Sequence, residues 1–290
     1  MKAIFSVDVE DWFHILDVPA APGIAEWDSL PSHVERLFRR VLDVLGDADV
    51  RATCFFLGWV GERYRHLVKE AERCGHEIAS HGYSHSLVHQ MTPEGFYRDV
   101  DRARAILEDI CGQPVRGYRA PGFSATREVL PWFYEKLVRA GYTYDSSIFP
   151  SACEYGGVRR GACGPHTVTT DSGRITEFPM TVTSVLRCRV CLFGGGYLRL
   201  APLGMIEFGM RKVLREGRPV ICYVHPREMD ADHPRLPMSL RRRWKSYVNL
   251  ATTEGKVRSL LSTFEFVSFR DFLAQMNGST SEAACAAASV

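Results

Sequence analysis

Glu77-Ile78-Ala79-Ser80-His81-Gly82-Tyr83-Ser84-His85 reads as a short buried strand running straight into two histidines four residues apart. Small and hydroxyl residues bracket the pair, so both imidazoles can turn toward one ion. Upstream, Ala3-Ile4-Phe5-Ser6-Val7-Asp8-Val9-Glu10-Asp11 is an apolar strand that ends in carboxylates. Downstream, the apolar run Pro219 to Val224 ends at His225-Pro226. Two neutral imidazoles and one carboxylate form a divalent-metal site with positions left open for water and substrate. A second carboxylate and a separate histidine then remain for proton transfer. A lone His-x-x-x-His is more often incidental than a ligand pair; its joint occurrence with polar residues at two other strand ends reverses that weighing.

Strands and helices alternate between these points. The period predicts a helix over Ser32 to Leu45, with Ser32 as N-cap and Glu35 three residues on. It predicts a strand at Ala52 to Leu57, a helix at Glu62 to Cys74 closed by Gly75, and a helix at Thr92 to Cys111 with Pro93 at its first position and Gly112 after its end. A strand enters Tyr118-Arg119-Ala120-Pro121, a helix covers Arg127 to Ala140, and further helices cover Leu203 to Glu216 and Thr252 to Leu261. Phe264 to Ser268 is a last strand. Trp12 to Leu30 and Phe149 to Gly173 read as irregular, and 277–290 as a disordered tail. This βα alternation predicts a parallel α/β sheet or barrel, whose functional residues gather at the C-terminal ends of the strands.

The 290 residues are 46% hydrophobic and 24% charged, with a formal net charge of +2. That composition supports a sizeable core and points to neither nucleic acid nor a membrane surface as partner. The local excess Arg241-Arg242-Arg243-Trp244-Lys245 is read first as a solvated helix face, and second as a contact for an anionic substrate group such as a phosphate. No apolar run is long enough to span a bilayer. Met1 leads almost directly into a strand without a signal-peptide pattern, so a cytoplasmic location is expected, with the nine cysteines as reduced thiols. Cys153, Cys163, Cys188 and Cys191 are weighed as a structural zinc site, with scattered free thiols as the default.

Taken together, Ser6-Val7-Asp8-Val9-Glu10-Asp11, Ser80 to His85, Arg119-Ala120-Pro121-Gly122 and Val224-His225-Pro226 resemble the ordered motifs of the polysaccharide deacetylases (carbohydrate esterase family 4, the NodB-homology fold). The resemblance covers about residues 1–226. Gly194 to Pro202 and the later Trp244, Asn249, Thr253 and Phe264-Glu265-Phe266 are similar to the C-terminal extension of a cytoplasmic subgroup associated with exopolysaccharide and exosortase gene clusters. The resemblance implies a deformed, incomplete (β/α) barrel over 1–226, with an extension over 227–276 packed on it.

It also implies a metal-dependent N-deacetylase that releases acetate from an N-acetylated sugar. Asp8 matches the catalytic base, His81 and His85 the metal histidines, Arg119 the residue that holds the base, and His225 the catalytic acid. The metal carboxylate departs from the usual pattern, because the position after the base is Val9. Glu10 takes that role if the strand persists, since it shares a face with Asp8; Asp11 takes it if the chain turns. The expected ion is zinc, with cobalt, nickel or manganese accepted by the same donors. A backbone N–H near Tyr83 or Phe123 is expected to stabilise the oxyanion. Trp12, Trp27 and Tyr197 are weighed as sugar platforms against core packing. Two alternatives stay open: hydrolysis of a cyclic amide (as in allantoinases) or a formamide on the same fold, and non-catalytic carbohydrate binding. The oligomeric state is not legible.

Overall fold

A computed structural model describes residues 2–16, 18–151, 153–185 and 188–276; the expected disordered tail lies outside the described residues. The strands are β1 (Ala3–Val9), β2 (Thr53–Phe56), β3 (Glu77–Ser80), β4 (Gly117–Tyr118), β5 (Tyr144–Asp145), β6 (His166–Thr170), β7 (Gly173–Glu177), β8 (Thr183–Val185), β9 (Cys188–Val190), β10 (Ile221–Val224) and β11 (Phe266–Val267). The helices are α1 (Val34–Asp47), α2 (Gly58–Arg63), α3 (Arg65–Arg73), α4 (Pro93–Cys111), α5 (Leu130–Arg139), α6 (Gly195–Leu200), α7 (Leu203–Arg215), α8 (Leu240–Tyr247) and α9 (Thr253–Thr263).

Nine strands form one sheet in the order β10-β1-β2-β3-β4-β5-β7-β6, with β11 also on β1. Every pairing is parallel except β6 with β7. Among the described residues the two ends of this sheet do not pair, so the barrel is open, as the deformed, incomplete (β/α) expectation requires. β1 is buried along its whole length. One edge of it pairs with β10; the other pairs with β11 at Ala3 and Ile4 and with β2 from Ser6 to Val9. The sheet therefore runs across the boundary expected at residue 226.

Local chemistry explains where the elements stop. The Thr92 hydroxyl accepts the Gly95 N–H at 3.1 Å, Pro93 opens α4, and Gly112 closes it in the left-handed region at φ 67°. The cap of α1 differs from the expectation. Ser32 does not cap it; the Asp11 carboxylate reaches across from the end of β1 and accepts the backbone N–H groups of His33 and Val34 at 3.0 and 3.2 Å. A carboxylate suits this place, since it meets unpaired N–H groups and the positive end of the helix dipole. The stretch expected to be irregular, Phe149 to Gly173, contains β6, an exposed edge strand that hairpins onto β7. No described helix is long and apolar enough to cross a membrane.

Candidate active site

β1, β3 and β10 end on the same side of the sheet and bring Asp8, Glu10, His81, His85 and His225 to a common cavity, with Arg119 after β4 buried behind Asp8. At the end of β1 the chain turns at once: the Glu10 N–H donates to the Asp8 carbonyl at 3.0 Å. Glu10 nevertheless swings inward. Its Oε1 lies 3.1 Å from His81 Nε2 and 3.0 Å from His85 Nε2. Asp11 is not brought to the histidines. Both its oxygens serve α1 and the neighbouring backbone, including the Trp12 N–H at 2.8 Å and the Ser32 hydroxyl at 2.5 Å. This corrects the expectation that a turning chain would present Asp11.

Gly82, with φ at 75°, and His85, with φ at 52°, bend the histidine loop back on itself. A Cβ at Gly82 would lie 2.8 Å from Asp99 Oδ2, so glycine there serves both the conformation and the close approach. Asp99 pins the loop by accepting the N–H groups of Tyr83 and Ser84 at 2.8 and 3.1 Å. His81 Nδ1 sits 2.8 Å from the carbonyl of Arg119. A carbonyl only accepts, so Nδ1 carries the proton, and in neutral His81 a lone pair on Nε2 faces the Glu10 carboxylate. Two electron-rich atoms at that distance repel unless a cation or a proton lies between them. The donor set Glu10, His81 and His85 therefore fits a divalent metal, with the His81 tautomer already fixed. Burial works against the Glu10 charge, but His85 and His225 and the imidazole hydrogen bonds hold its carboxyl well below the usual range.

Arg119, wholly buried on the strand end after β4, donates to Asp8 Oδ1 at 2.7 Å and to the Ser6 hydroxyl at 2.9 Å. Its guanidinium lies over the Phe55 ring at 4.1 Å. Asp8 Oδ2 is left toward the cavity, 4.0 Å from His225 Nε2. His225 Nε2 is also 3.8 Å from Glu10 Oε1. His225 has 15% of its side chain exposed, against 2–6% for Asp8, Glu10, His81 and His85. It is the member of the set that an incoming molecule meets first.

Two residues behind His225 carried no functional signal in the sequence reading. Glu228 accepts from His225 Nδ1 at 3.1 Å and is paired with Arg199 Nε at 3.0 Å. Burial would raise the Glu228 carboxyl, yet Arg199 and His225 hold it at about 2. Burial likewise pushes the His225 imidazole down, but Glu10 and Glu228 outweigh it and the net shift is upward. The available signal was positional: Glu228 lies three residues after His225, across the turn opened by Pro226, where its side chain folds back on the histidine. His14 was also passed over. It is buried, lines the cavity and accepts the Asp11 N–H at its Nδ1.

The cavity wall is completed by Phe123, Phe149, Tyr197, Tyr223, Arg227 and Arg242, among others. Phe123 and Tyr197 both line this wall. Tyr83 and Trp12 are not on this wall. The Tyr83 N–H is spent on Asp99 and its hydroxyl contacts Glu62 and Arg102. Trp12 is buried, with its indole N–H on the Pro31 carbonyl. Trp27 is likewise in the core. The Phe123 N–H donates to the Ala120 carbonyl, so neither backbone donor expected for the oxyanion is free. Among the described residues no metal-capable cluster contains a cysteine, and Cys153, Cys163 and Cys191 are free thiols.

A family model described as polysaccharide deacetylase matches residues 25–144. Residues 25–144 thus carry a polysaccharide deacetylase domain match. A second model, described as a domain of unknown function (DUF3473), matches residues 146–274. The junction between the two matches falls at β5, inside the sheet. Among curated relatives, YheN of Bacillus subtilis, named as a polysaccharide deacetylase, is 39% identical over 84 residues, covering 28% of this chain and 29% of that protein. ArnD of Shewanella sediminis, named as a 4-deoxy-4-formamido-L-arabinose-phosphoundecaprenol deformylase, is 25% identical over 146 residues, covering 48% and 47%. The chain spans less than half the length of these relatives. A crystal structure named as a polysaccharide deacetylase from Mycobacterium smegmatis superposes with a TM-score of 0.58 at 15% identity, over 97% of this chain and 92% of that one, and shows the same fold. The relatives support a deacetylase or a related hydrolase of this family.

Proposed function

We propose that the protein is a metal-dependent amide hydrolase that removes the N-acetyl group of an amino sugar, yielding a free amine and acetate. The observation that carries this reading is the convergence of Glu10, His81 and His85 beside an Arg119-held Asp8 and a cavity-facing His225. Glu10, His81 and His85 would hold the ion, zinc first and cobalt, nickel or manganese as alternatives. A divalent ion there would lower the pKa of water to roughly 7 and polarise the acyl oxygen.

The chain's own residues divide the remaining work. Arg119 occupies Asp8 Oδ1 and leaves Oδ2 to take the proton of the attacking water. His225 faces the cavity from the strand beside β1 and donates a proton to the departing amine, which leaves poorly without one. The upward shift of His225 keeps it protonated nearer neutral pH, and the charge of Glu228 orients its ring. Tyr197 and Phe123 offer flat apolar surface against which a sugar ring can rest.

The test is amine release from N-acetylglucosamine-type substrates by chelated protein, with and without restored zinc or cobalt. Metal-restored turnover supports the reading; turnover that survives exhaustive chelation removes it. A formamide substrate is the second reading, favoured by the match to ArnD over nearly half of this chain. Paired acetamido and formamido forms of one sugar separate the two by their ratio of kcat/KM.

A further inference from the structure

We propose that the face formed by α6, α7 and α8 at the cavity mouth docks on an anionic lipid bilayer surface, so that the acylamino sugar reaches the site on a lipid carrier. The proposal deepens the amide-hydrolase reading and rests on it only for what happens inside the cavity.

α8 carries Leu-Arg-Arg-Arg-Trp-Lys-Ser-Tyr and no acidic residue. Its inner side is fixed. Tyr247 is buried and its hydroxyl accepts the Leu236 N–H at 3.0 Å, while Arg199 donates to the carbonyls of Ser246 and Lys245. Arg242 and Lys245 are both paired with Glu154 and line the cavity. The outer side is unspent. Leu240 is 84% exposed and Trp244, one turn on, is 59% exposed. Arg241 and Arg243 flank them, both exposed and in no ion pair among the described residues. A rigid helix that shows leucine and tryptophan to solvent between unpaired arginines has the composition of an interfacial helix: apolar side chains enter the acyl boundary and cations meet the headgroups.

The other bank of the mouth continues the surface. Leu200 of α6 lines both the cavity and an adjoining apolar groove that includes Met205 of α7. Met205 is 50% exposed, and Phe208, one turn further, is 65% exposed. Of the seven large apolar side chains that stand out from the described surface, five lie on these three helices. A cluster of that kind marks an interaction surface rather than scattered exposure. The near-zero net charge gives no hint of this face, although the run Arg241 to Lys245 stands out locally in the sequence.

The test is co-sedimentation of the full chain with vesicles of phosphatidylcholine alone and of phosphatidylcholine with phosphatidylglycerol. The wild type is expected to pellet with the anionic vesicles and to be released by salt. Each arginine at an anionic surface is worth about fivefold in partitioning, so R241Q/R243Q should weaken binding by about 25-fold. L240S/W244S should weaken it at least as much, with thermal unfolding showing that both variants remain folded. L240S/W244S should also lose turnover of a vesicle-embedded acylamino sugar while keeping that of a water-soluble one. Wild-type protein that stays in the supernatant at every composition overturns the proposal. So does a dimer in light scattering that L240S/W244S dissociates without vesicle binding, which would assign the face to a second copy of the chain. Vesicle binding with no hydrolysis of any amide would leave the docking surface standing and remove the amide-hydrolase reading instead.

Discussion

Two pairs of carboxylates sit at the C-terminal ends of parallel strands in the same sheet, and they behave in opposite ways. Asp8 and Glu10, at the end of β1, are each served by cationic or imidazole partners and open into the cavity. Asp145 and Glu177 lie directly opposite one another at the ends of β5 and β7. Both are fully buried, and they have Ser147, Tyr134 and the Ile148 N–H for neighbours instead of an ion pair. Burial raises the Glu177 carboxyl well above its usual range, and the adjacent Asp145 raises it further. Glu10 of the first pair is held down and faces the cavity, whereas Glu177 of the second is pushed up and sealed inside the fold. Strand-end position is common to both, so it is the partner set that separates a carboxylate open to the cavity from one sealed in the fold.

The sharpest way to break this contrast is Asp8→Asn. The amide still accepts from Arg119 but cannot take a proton, so kcat/KM should fall about 10²–10⁴-fold with thermal unfolding little changed. Undiminished turnover would remove Asp8 from the reaction. Next, Glu10→Gln should lower zinc affinity, read by competition with a chelating dye, by more than the roughly 10–100-fold typical of losing a residue that only supports a ligand. Asp11→Ala is the partner experiment. It should leave that affinity within a few-fold while costing about 1–2 kcal/mol of stability through the lost α1 cap. Reversal of the two results would return Asp11 to the metal.

A smaller effect is expected from Glu228→Gln. In the proposed reaction His225 acts in its protonated form, and Glu228 helps to raise its pKa. Removing that charge should move the alkaline limb of the kcat/KM profile to lower pH. An unmoved limb would assign the limb to another group. The smallest concerns the structural pair. The folded pKa of Glu177 lies above the unfolded value of about 4.3, so its contribution to stability is full below that value and is lost as pH rises through the folded pKa. Glu177→Gln should flatten this part of the stability curve in denaturant titrations.

The candidate set was legible because its members stand at strand ends: Asp8 in β1, His81 after β3, Arg119 after β4, His225 after β10. The choice between Glu10 and Asp11 was not. Strand alternation tied Glu10 to an extended chain, whereas the chain turns and Glu10 still points inward, because Asp11 is claimed by the N–H groups of a helix that begins more than twenty residues later. Trp12 and Tyr83 were equally opaque, since an aromatic side chain beside a motif has the same sequence signature in a core as on a cavity wall. β6 was missed because its faces are mostly exposed and give no alternation, although the Thr-Val-Thr-Thr run was a β-branched signal.

The pairing of β1 with β10 and β11 has a consequence for how the protein is made. The Ser6 hydroxyl bonds to the carbonyl of Cys222, 216 residues away, and Ala3 lies beside Phe266. During synthesis Asp8 emerges with β1, but His225 and the β10 and β11 strands that pair with β1 follow only after the rest of the sheet. Until then Asp8 and Glu10 have neither His225 nor β10 beside them. The candidate site is assembled only when these long-range pairings close, the slow step expected of a parallel sheet whose neighbouring strands lie far apart in sequence.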